Sequence, residues 1–389
     1  MTQKIKVIIG ASYGDEGKGL ATDYFGAQGK KKGTVVNVLT NGGPQRGHTV
    51  ELPDGTRHVF RHFGAASFRG AASYMAQQFI INPIELIGEY DELCHIGIAP
   101  EIMIHPDCRF TTPWDMLVNQ KLKKKNGINN TCGFGVWETV LRYDRGYGTQ
   151  FIKMVSMDRN ERISCLRSLR DGYFMARIKE LGISLDKDDV FFSDGLLRHF
   201  EEDLASVIMQ CRMTGYAVLR NYETVLFENA QGLLLDGNRK GEEDFTTPST
   251  TGMGRIFRTI EDNFHNVDVE VCYVTRSYQT RHGEGVMEQE YTEEELLKVM
   301  PGLTADMTNI RNDFQGALRY GRLSEDSLIR RIEKDMEYCA DGKKNLYLPS
   351  VLVTHMNEYN RIDTEKLVNA FKTVRVSDGK TAEDVHILA

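Results

Sequence analysis

Lys4-Ile5-Lys6-Val7-Ile8-Ile9-Gly10-Ala11-Ser12-Tyr13-Gly14-Asp15-Glu16-Gly17-Lys18-Gly19 begins as an apolar run and stops in a glycine-rich turn. A run of this length bounded by glycine reads as a buried strand, and the residues after it, Leu20–Ala27, read as a helix. A basic turn at Gly29–Gly33 and a second apolar run, Thr34–Leu39, complete a strand-helix-strand unit with parallel strands. The turn therefore falls at the C-terminal end of its strand, where open α/β sheets bind their ligands. Its glycines let backbone N–H groups approach phosphate oxygens, and Lys18 adds a positive charge. Asp15 repels phosphate, so its presence points to a bound Mg²⁺ or to proton transfer. The spacing is not that of a Walker A loop, because Ser12 stands where the first glycine belongs and Gly19 follows the lysine.

Working outward, further strands are expected at Gln78–Ile81, Ile102–His105, Thr224–Glu228, Val269–Arg276 and Leu346–Thr354. Strands spread over the whole length are most economically joined in one sheet, which makes residues 1–389 a single α/β domain. Asp158–Gly215 has aliphatic residues at helical spacing and reads as a helical insertion, and Thr292–Met300 and Glu325–Tyr338 also read as helices. Asn119–Gly148 and Asp236–Gly254 read as irregular loops suited to closing on a substrate.

The balance of 48 Lys+Arg against 55 Asp+Glu gives a net charge of −7, which argues against a non-specific nucleic-acid binder or a protein of anionic membranes. The seven cysteines are scattered without zinc spacing, no stretch approaches 18 apolar residues, and the N-terminus lacks a signal pattern. The expectation is a cytoplasmic protein with reduced thiols that binds small molecules.

Two more segments carry chemistry. Asn41-Gly42-Gly43-Pro44-Gln45-Arg46-Gly47-His48-Thr49 follows the second strand, and its histidine and arginine among peptide N–H groups suit a nucleotide's terminal phosphate and the charge that develops during its transfer. Phe227-Glu228-Asn229-Ala230-Gln231-Gly232 ends another strand, and Thr246-Thr247-Pro248-Ser249-Thr250-Thr251-Gly252 offers hydroxyls to a small polar ligand or its phosphate.

Read in order with Tyr278-x-Thr280-Arg281-x-Gly283-x-Gly285, these motifs resemble adenylosuccinate synthetase, from residue 4 to about residue 381. The resemblance implies a large, mostly parallel central sheet related to P-loop NTPases, with helical and loop insertions. It also implies a carbon–nitrogen ligase that uses Mg²⁺ and works as a homodimer. Asp15 would be the general base toward the purine and a Mg²⁺ ligand, His48 the general acid, and the Gly47 carbonyl a second Mg²⁺ ligand. The triphosphate would meet Gly14, Gly17, Lys18, Gly19, Gly47, His48, Thr49, Gln315, Asn357 and Gly379. The monophosphate would meet Ser12, Asp15, Asn41, Gln45, Arg46, Asn130, Thr131, Gln231, Thr246 and Thr247. Its 5′-phosphate would also be reached by Arg142 or Arg145 from the partner subunit. L-Aspartate would be held by Thr308, Arg311 and Arg319.

The chain departs from the common family pattern in three places. Thr354-His355-Met356-Asn357 stands where the family reads guanine with Thr-Lys-x-Asp; the missing carboxylate removes the acceptor for the guanine N1–H and 2-amino group, so ATP is the expected donor. The arginine-rich loop is thinned to Thr308-Asn309-Ile310-Arg311-Asn312-Asp313 and the residues up to Leu323. The turns read Gly43-Pro44-Gln45-Arg46-Gly47-His48-Thr49 and Ser12-Tyr13, and the short Ser12 leaves space for a purine 2-amino group. These changes resemble the phage branch that makes 2-aminoadenine nucleotides, which would act in the host cytoplasm and join L-aspartate to dGMP at the expense of ATP. An ordinary synthetase using IMP and GTP, or a nucleotide-dependent switch without ligase activity, are the alternatives.

Overall fold

The computed structural model describes residues 3–29, 31–126, 133–239, 246–301, 303 and 318–389. Along the chain the strands are β1 (Lys4–Gly10), β2 (Val35–Leu39), β3 (His48–Glu51), β4 (Arg57–Phe60), β5 (Ala72–Met75), β6 (Ile80–Ile81), β7 (Ile102–Ile104) and β8 (Arg109–Phe110). They continue with β9 (Cys211–Met213), β10 (Thr224–Gly232), β11 (Asp268–Arg276), β12 (Gln279–His282), β13 (Leu318–Gly321), β14 (Leu346–Thr354), β15 (Val374–Ser377) and β16 (Val385–Ile387). The α-helices are α1 (Lys18–Ala27), α2 (Pro83–His95), α3 (Pro113–Asn126), α4 (Val136–Asp144), α5 (Phe151–Ser156) and α6 (Arg159–Leu169). After them come α7 (Met175–Glu180), α8 (Asp194–Gln210), α9 (Met253–Asn263), α10 (Glu293–Val299), α11 (Glu325–Met336) and α12 (Thr364–Ala370).

A 10-stranded sheet runs in the order β16-β15-β14-β11-β1-β10-β2-β5-β7-β9. Its pairings are parallel except that of β15 with β16. The unbroken apolar stretch Val7-Ile8-Ile9 lets β1 be covered on both faces near the middle of the sheet. Ile5, Val7 and Ile9 share a core with Met253, Ile256 and Ile260 of α9 and Leu328 and Ile332 of α11. Ile8 points to the opposite layer, against Leu20, Ala21 and Phe25 of α1. These four β1 side chains have 0% exposure, and burial of each contributes about 1.5–3 kcal/mol, so the turn after β1 hangs from a strongly anchored strand. A further core under the helices of Arg159–Gln210 joins Trp114, Phe174, Leu197, Phe200 and Leu204 to Phe60, Phe63 and Phe79. Trp114 completes this core by donating Nε1–H to the Phe191 carbonyl at 2.9 Å. Among the described residues no helix is long and apolar enough to cross a membrane, and no disulfide forms.

The mostly parallel sheet matches the sequence expectation, as does the helical character of Asp158–Gly215, and two local expectations are corrected. Gln78–Ile81 does not enter the main sheet; only Ile80 and Ile81 are extended, paired with Arg109 and Phe110, while the weakly apolar Ala72–Met75 takes the place beside β2. Burial beneath a second core, and not strand pairing, explains the apolar density at Phe79–Ile81. Asn119–Gly148 is not mostly irregular, because α3 extends to Asn126 and α4 fills Val136–Asp144. The lysines of Lys121–Lys125 form the wet side of a helix whose Trp114 and Val118 are fully buried. Asp158–Gly215 carries α6, α7 and α8, with a π-turn at Arg170–Phe174, and then delivers β9 to the sheet edge.

Candidate active site

Gly17 caps α1 with φ of 92°, a left-handed value that favours glycine, and swings the chain from β1 into the helix. The turn is built around Glu16. Its Oε1 accepts from the N–H groups of Ser12 at 2.9 Å and Gly14 at 2.7 Å, and its Oε2 pairs with Lys18 Nζ at 3.0 Å. Lys18 also donates to the Gly14 carbonyl at 2.5 Å, and its side chain has no exposure. Asp15 faces outward instead, with 26% of its side chain exposed and Oδ2 3.8 Å from His282 Nε2. Burial raises the Asp15 pKa above the ordinary carboxylate range, against the opposing pull of His282 and Arg276. Arg276 Nε steadies the residue by donating to its carbonyl at 2.5 Å.

Gly19, in the first turn of α1, lies so close to the second turn that a Cβ would strike the Thr49 carbonyl, so glycine here lets helix and loop meet. His48 is buried, and its Nδ1 is hydrogen-bonded to Glu228 Oε1 in the middle of β10. Arg46 Nη2 reaches the same Glu228 oxygen at 3.0 Å, and the other Glu228 oxygen accepts from Ala65 N–H at 3.1 Å. Burial pushes the His48 pKa down to about 4, aided by the Arg46 charge and opposed by Glu228. Burial alone would raise Glu228, but Arg46 and His48 overcome it and hold the carboxyl at about 2. A neutral His48 whose Nδ1–H donates to an ionised Glu228 has its Nε2 left for chemistry. Arg46, expected to meet the monophosphate, pairs with Glu228 and donates to the Arg61 carbonyl at 3.2 Å.

β10 ends against the first turn, where Leu234 N–H donates to the Ser12 carbonyl at 2.9 Å and Gln231 takes a φ of 65°. Ser12 is nearly buried, and its hydroxyl accepts from Arg331 Nη1 of α11 at 3.1 Å. Asn41 clamps β10 to the hydroxyl-rich loop. Its Oδ1 accepts from Ala230 N–H at 2.6 Å, and its Nδ2 donates to Ser249 Oγ at 3.2 Å and the Thr250 carbonyl at 3.0 Å. Thr247 Oγ1 is buried with no hydrogen-bond partner among the described residues, while Thr246 beside it is half-buried. Gln45 and Asn41 line one cavity at the C-terminal ends of β2 and β10. On the other side of β1, Thr354 Oγ1 donates to the Glu16 carbonyl at 2.8 Å, His355 has φ of 61°, and Asn357 is exposed. Met356 N–H donates to the Ser377 carbonyl at 3.1 Å, and Ser377 Oγ donates to the Gly379 carbonyl at 3.0 Å, which brings Asn357 and Gly379 into one loop cluster.

The structure thus gathers Ser12, Gly14, Asp15, Gly17, Lys18, Gly19, Gly47, His48, Thr49 and Gln231 along the C-terminal edge of β1, β2 and β10. Arg319 sits apart on β13, bonded to Glu290 at 2.8 Å and to the Gly285 carbonyl at 2.8 Å. Asn130, Thr131, Thr308, Arg311 and Gln315 lie outside the described residues. The two arginines are held within their own chain. Arg142 is fully buried against Asp115 at 2.9 Å, and Arg145 pairs on the surface with Glu180 at 2.7 Å. Asp115→Ala would leave the Arg142 charge buried and uncompensated, with an expected stability loss of about 3–5 kcal/mol in denaturant unfolding. Sequence reading missed Glu228 as the partner of His48, although it lay inside a quoted motif, missed Arg276 and His282, at the end of a quoted strand and an unspecified place of a quoted motif, and missed Arg331, which no local pattern marks.

No group of three or more His, Cys, Asp or Glu side chains among the described residues could hold a metal alone. Mg²⁺ is usually bound by one or two protein oxygens together with substrate phosphates, and the partly exposed Asp15 carboxylate and the exposed Gly47 backbone are each of a type that fits that arrangement. The ion would supply charge neutralisation at the phosphates.

An open parallel sheet that collects glycine-rich turns along one edge defines the class of α/β nucleotide-binding proteins. Within that class the chain belongs to the adenylosuccinate synthetase family, whose family model matches residues 7–310. It is 26% identical over 283 residues to the adenylosuccinate synthetase of Prochlorococcus marinus subsp. pastoris, covering 72% of this chain and 62% of the relative. With that of Clostridium perfringens it shares 27% over 287 residues, covering 72% and 64%. The matches thus span a little under two thirds of these relatives' lengths. The solved adenylosuccinate synthetase of Plasmodium falciparum has a similar fold, with a TM-score of 0.74 at 14% identity over 99% of this chain and 100% of that one. So does the cyanophage S-2L succinoaminodeoxyadenylate synthetase solved with dGMP and dATP, with a TM-score of 0.65 at 14% identity over 100% and 96%.

Proposed function

We propose that this chain joins L-aspartate to the 6-position of dGMP, with ATP converted to ADP and phosphate, giving N6-succino-2-amino-2′-deoxyadenylate. The observation that carries the ligase reading is the pairing of an outward Asp15 with a His48 braced by Glu228 on neighbouring strand ends. The purine 6-oxygen is a poor leaving group. Asp15 takes the proton from N1, the 6-oxygen attacks the γ-phosphorus, and ADP leaves. The aspartate amine then adds at C6 and expels phosphate. His48 Nε2 faces the charge that develops during transfer.

The choice of dGMP and ATP rests on Asn357, which offers an amide where a guanine-reading carboxylate is expected, and on Ser12. The S-2L enzyme, solved with dGMP and dATP, shares the fold. The curated relatives favour a second reading, an ordinary synthetase using IMP and GTP. The whole of 1–389 acts as one unit, with a helical insertion at about 158–215, in a homodimer. Phosphate release from purified protein with L-aspartate and each nucleotide pair decides the substrates. Turnover of IMP with GTP well above that of dGMP with ATP would sink the specific reading, and phosphate release independent of aspartate would sink the ligase.

His48 also makes nucleotide binding pH-dependent. With its pKa held at about 4, His48 is neutral at pH 7, and incoming phosphates favour the protonated form. Triphosphate binding is therefore expected to take up protons, more at pH 6 than at pH 8. Calorimetry in buffers of different ionisation enthalpy measures this uptake, which His48→Ala should remove.

A further inference from the structure

We propose that His282 is a specificity-determining residue, accepting a hydrogen bond from the 2-amino group of the substrate purine. This rests on the reading above, in which Asp15 faces N1 of dGMP. His282 ends β12, and its Nε2 lies 3.8 Å from Asp15 Oδ2, with 16% of its side chain exposed. That separation is longer than a hydrogen bond, so carboxylate and imidazole stand side by side on one edge of the site.

The strand order decides which side of the purine each group meets. β1 lies between β10 and β11. His48 is tied to Glu228 of β10, whereas Arg276 ends β11 and His282 ends β12. In guanine the 6-oxygen and the 2-amino group flank N1, one on each side. Phosphoryl transfer turns the 6-oxygen toward His48 and the donor's phosphates. With N1 at Asp15, the 2-amino group then points to the opposite flank, where His282 stands. Ser12 leaves room for that group, but its hydroxyl already accepts from Arg331. An amino group only donates here, and an imidazole with one ring nitrogen bare of hydrogen supplies the acceptor.

His282 is positioned through its neighbours. The guanidinium of Arg281 lies over the Tyr13 ring of the catalytic turn, 4.7 Å from its centroid, and its Nη1 donates to the Val286 carbonyl at 2.7 Å. Tyr13 Oη donates to the same carbonyl at 3.2 Å. Gly285 has φ of 102°, and a Cβ there would strike the Arg281 guanidinium, so glycine lets the loop wrap around it. These contacts lock the end of β12 onto the turn that carries Asp15. A purine with only hydrogen at C2 has nothing to donate to His282.

The test is calorimetric binding of dGMP and dIMP, which differ only in the 2-amino group, to the full chain and to H282L and H282Q. Loss of the imidazole also alters the surroundings of Asp15, but that acts on both nucleotides alike, so the readout is the ratio of the two affinities. The preference for dGMP over dIMP is expected to fall about 10-fold in H282L and to stay within about 3-fold of the parent in H282Q, whose amide oxygen accepts a hydrogen bond. Should H282L fail to fold, H282A carries the same expectation with a smaller side chain. A preference unmoved in the variant that lacks an acceptor, with both affinities falling together or not at all, overturns the proposal. Failure of the dGMP reading shows separately, as a parent chain that turns over IMP with GTP well above dGMP with ATP, and the affinity ratio still decides the role of His282.

Discussion

Asp15→Asn should lower kcat by about 10²–10⁴-fold while leaving dGMP affinity within a few-fold of the parent. The amide keeps the shape of the side chain but has no basic oxygen for the purine proton and no charge for a metal. The carboxylate is suited to both tasks because burial raises its pKa while His282 and Arg276 keep it from rising unchecked. Glu16, one residue on, serves as the contrast. It is buried and accepts two N–H bonds from the turn, so Glu16→Gln should act through stability and the placement of Lys18. Single-turnover phosphate release with equilibrium dGMP binding separates the two effects. Near-parental turnover in Asp15→Asn would remove it as the base.

His48→Ala should reduce phosphoryl transfer by a comparable factor, and Glu228→Gln should reproduce much of that loss without touching substrate. The Glu228 carboxylate fixes the His48 tautomer and neutralises Arg46, so its loss leaves one buried cation uncompensated and the imidazole less basic. The expected signature is the alkaline limb of the kcat profile, where His48 loses the proton it supplies, moved to lower pH in Glu228→Gln and abolished in His48→Ala. Because removing one partner of a buried pair costs about 3–5 kcal/mol, the unfolding midpoint should fall as well. A Glu228→Gln variant that loses stability with an unmoved pH profile would show that the carboxylate is only structural.

How much of this was legible in the sequence depended on range. The β1 turn, the His48 turn and the Gln231 segment each announce themselves through glycine spacing after an apolar run, so their placement on strand ends could be read directly. Ala72–Met75 could not, because a strand of small residues carries less apolar signal than the buried Phe79–Ile81 beside it. The helix α2 left a readable sign in Asn82-Pro83, an N-cap followed by a proline at the first helical position. Contacts such as Arg331 with Ser12, 319 residues apart, have no local signature at all. The same holds for the burial of Arg142, since an arginine on the inner face of a short helix looks like any other charged residue until Asp115 is seen across from it.

The strand order has a consequence for how the protein is made. β10 lies between β1 and β2, although it follows them by nearly the length of a small domain. The opening strand-helix-strand unit cannot close when it leaves the ribosome, because its central slot waits for Thr224–Gly232. Until then two strand edges stand unpaired, His48 lacks Glu228, and the nascent chain is most exposed to mispairing. Catalytic competence should therefore appear late and abruptly during synthesis, and chains ending before residue 232 should depend on chaperones.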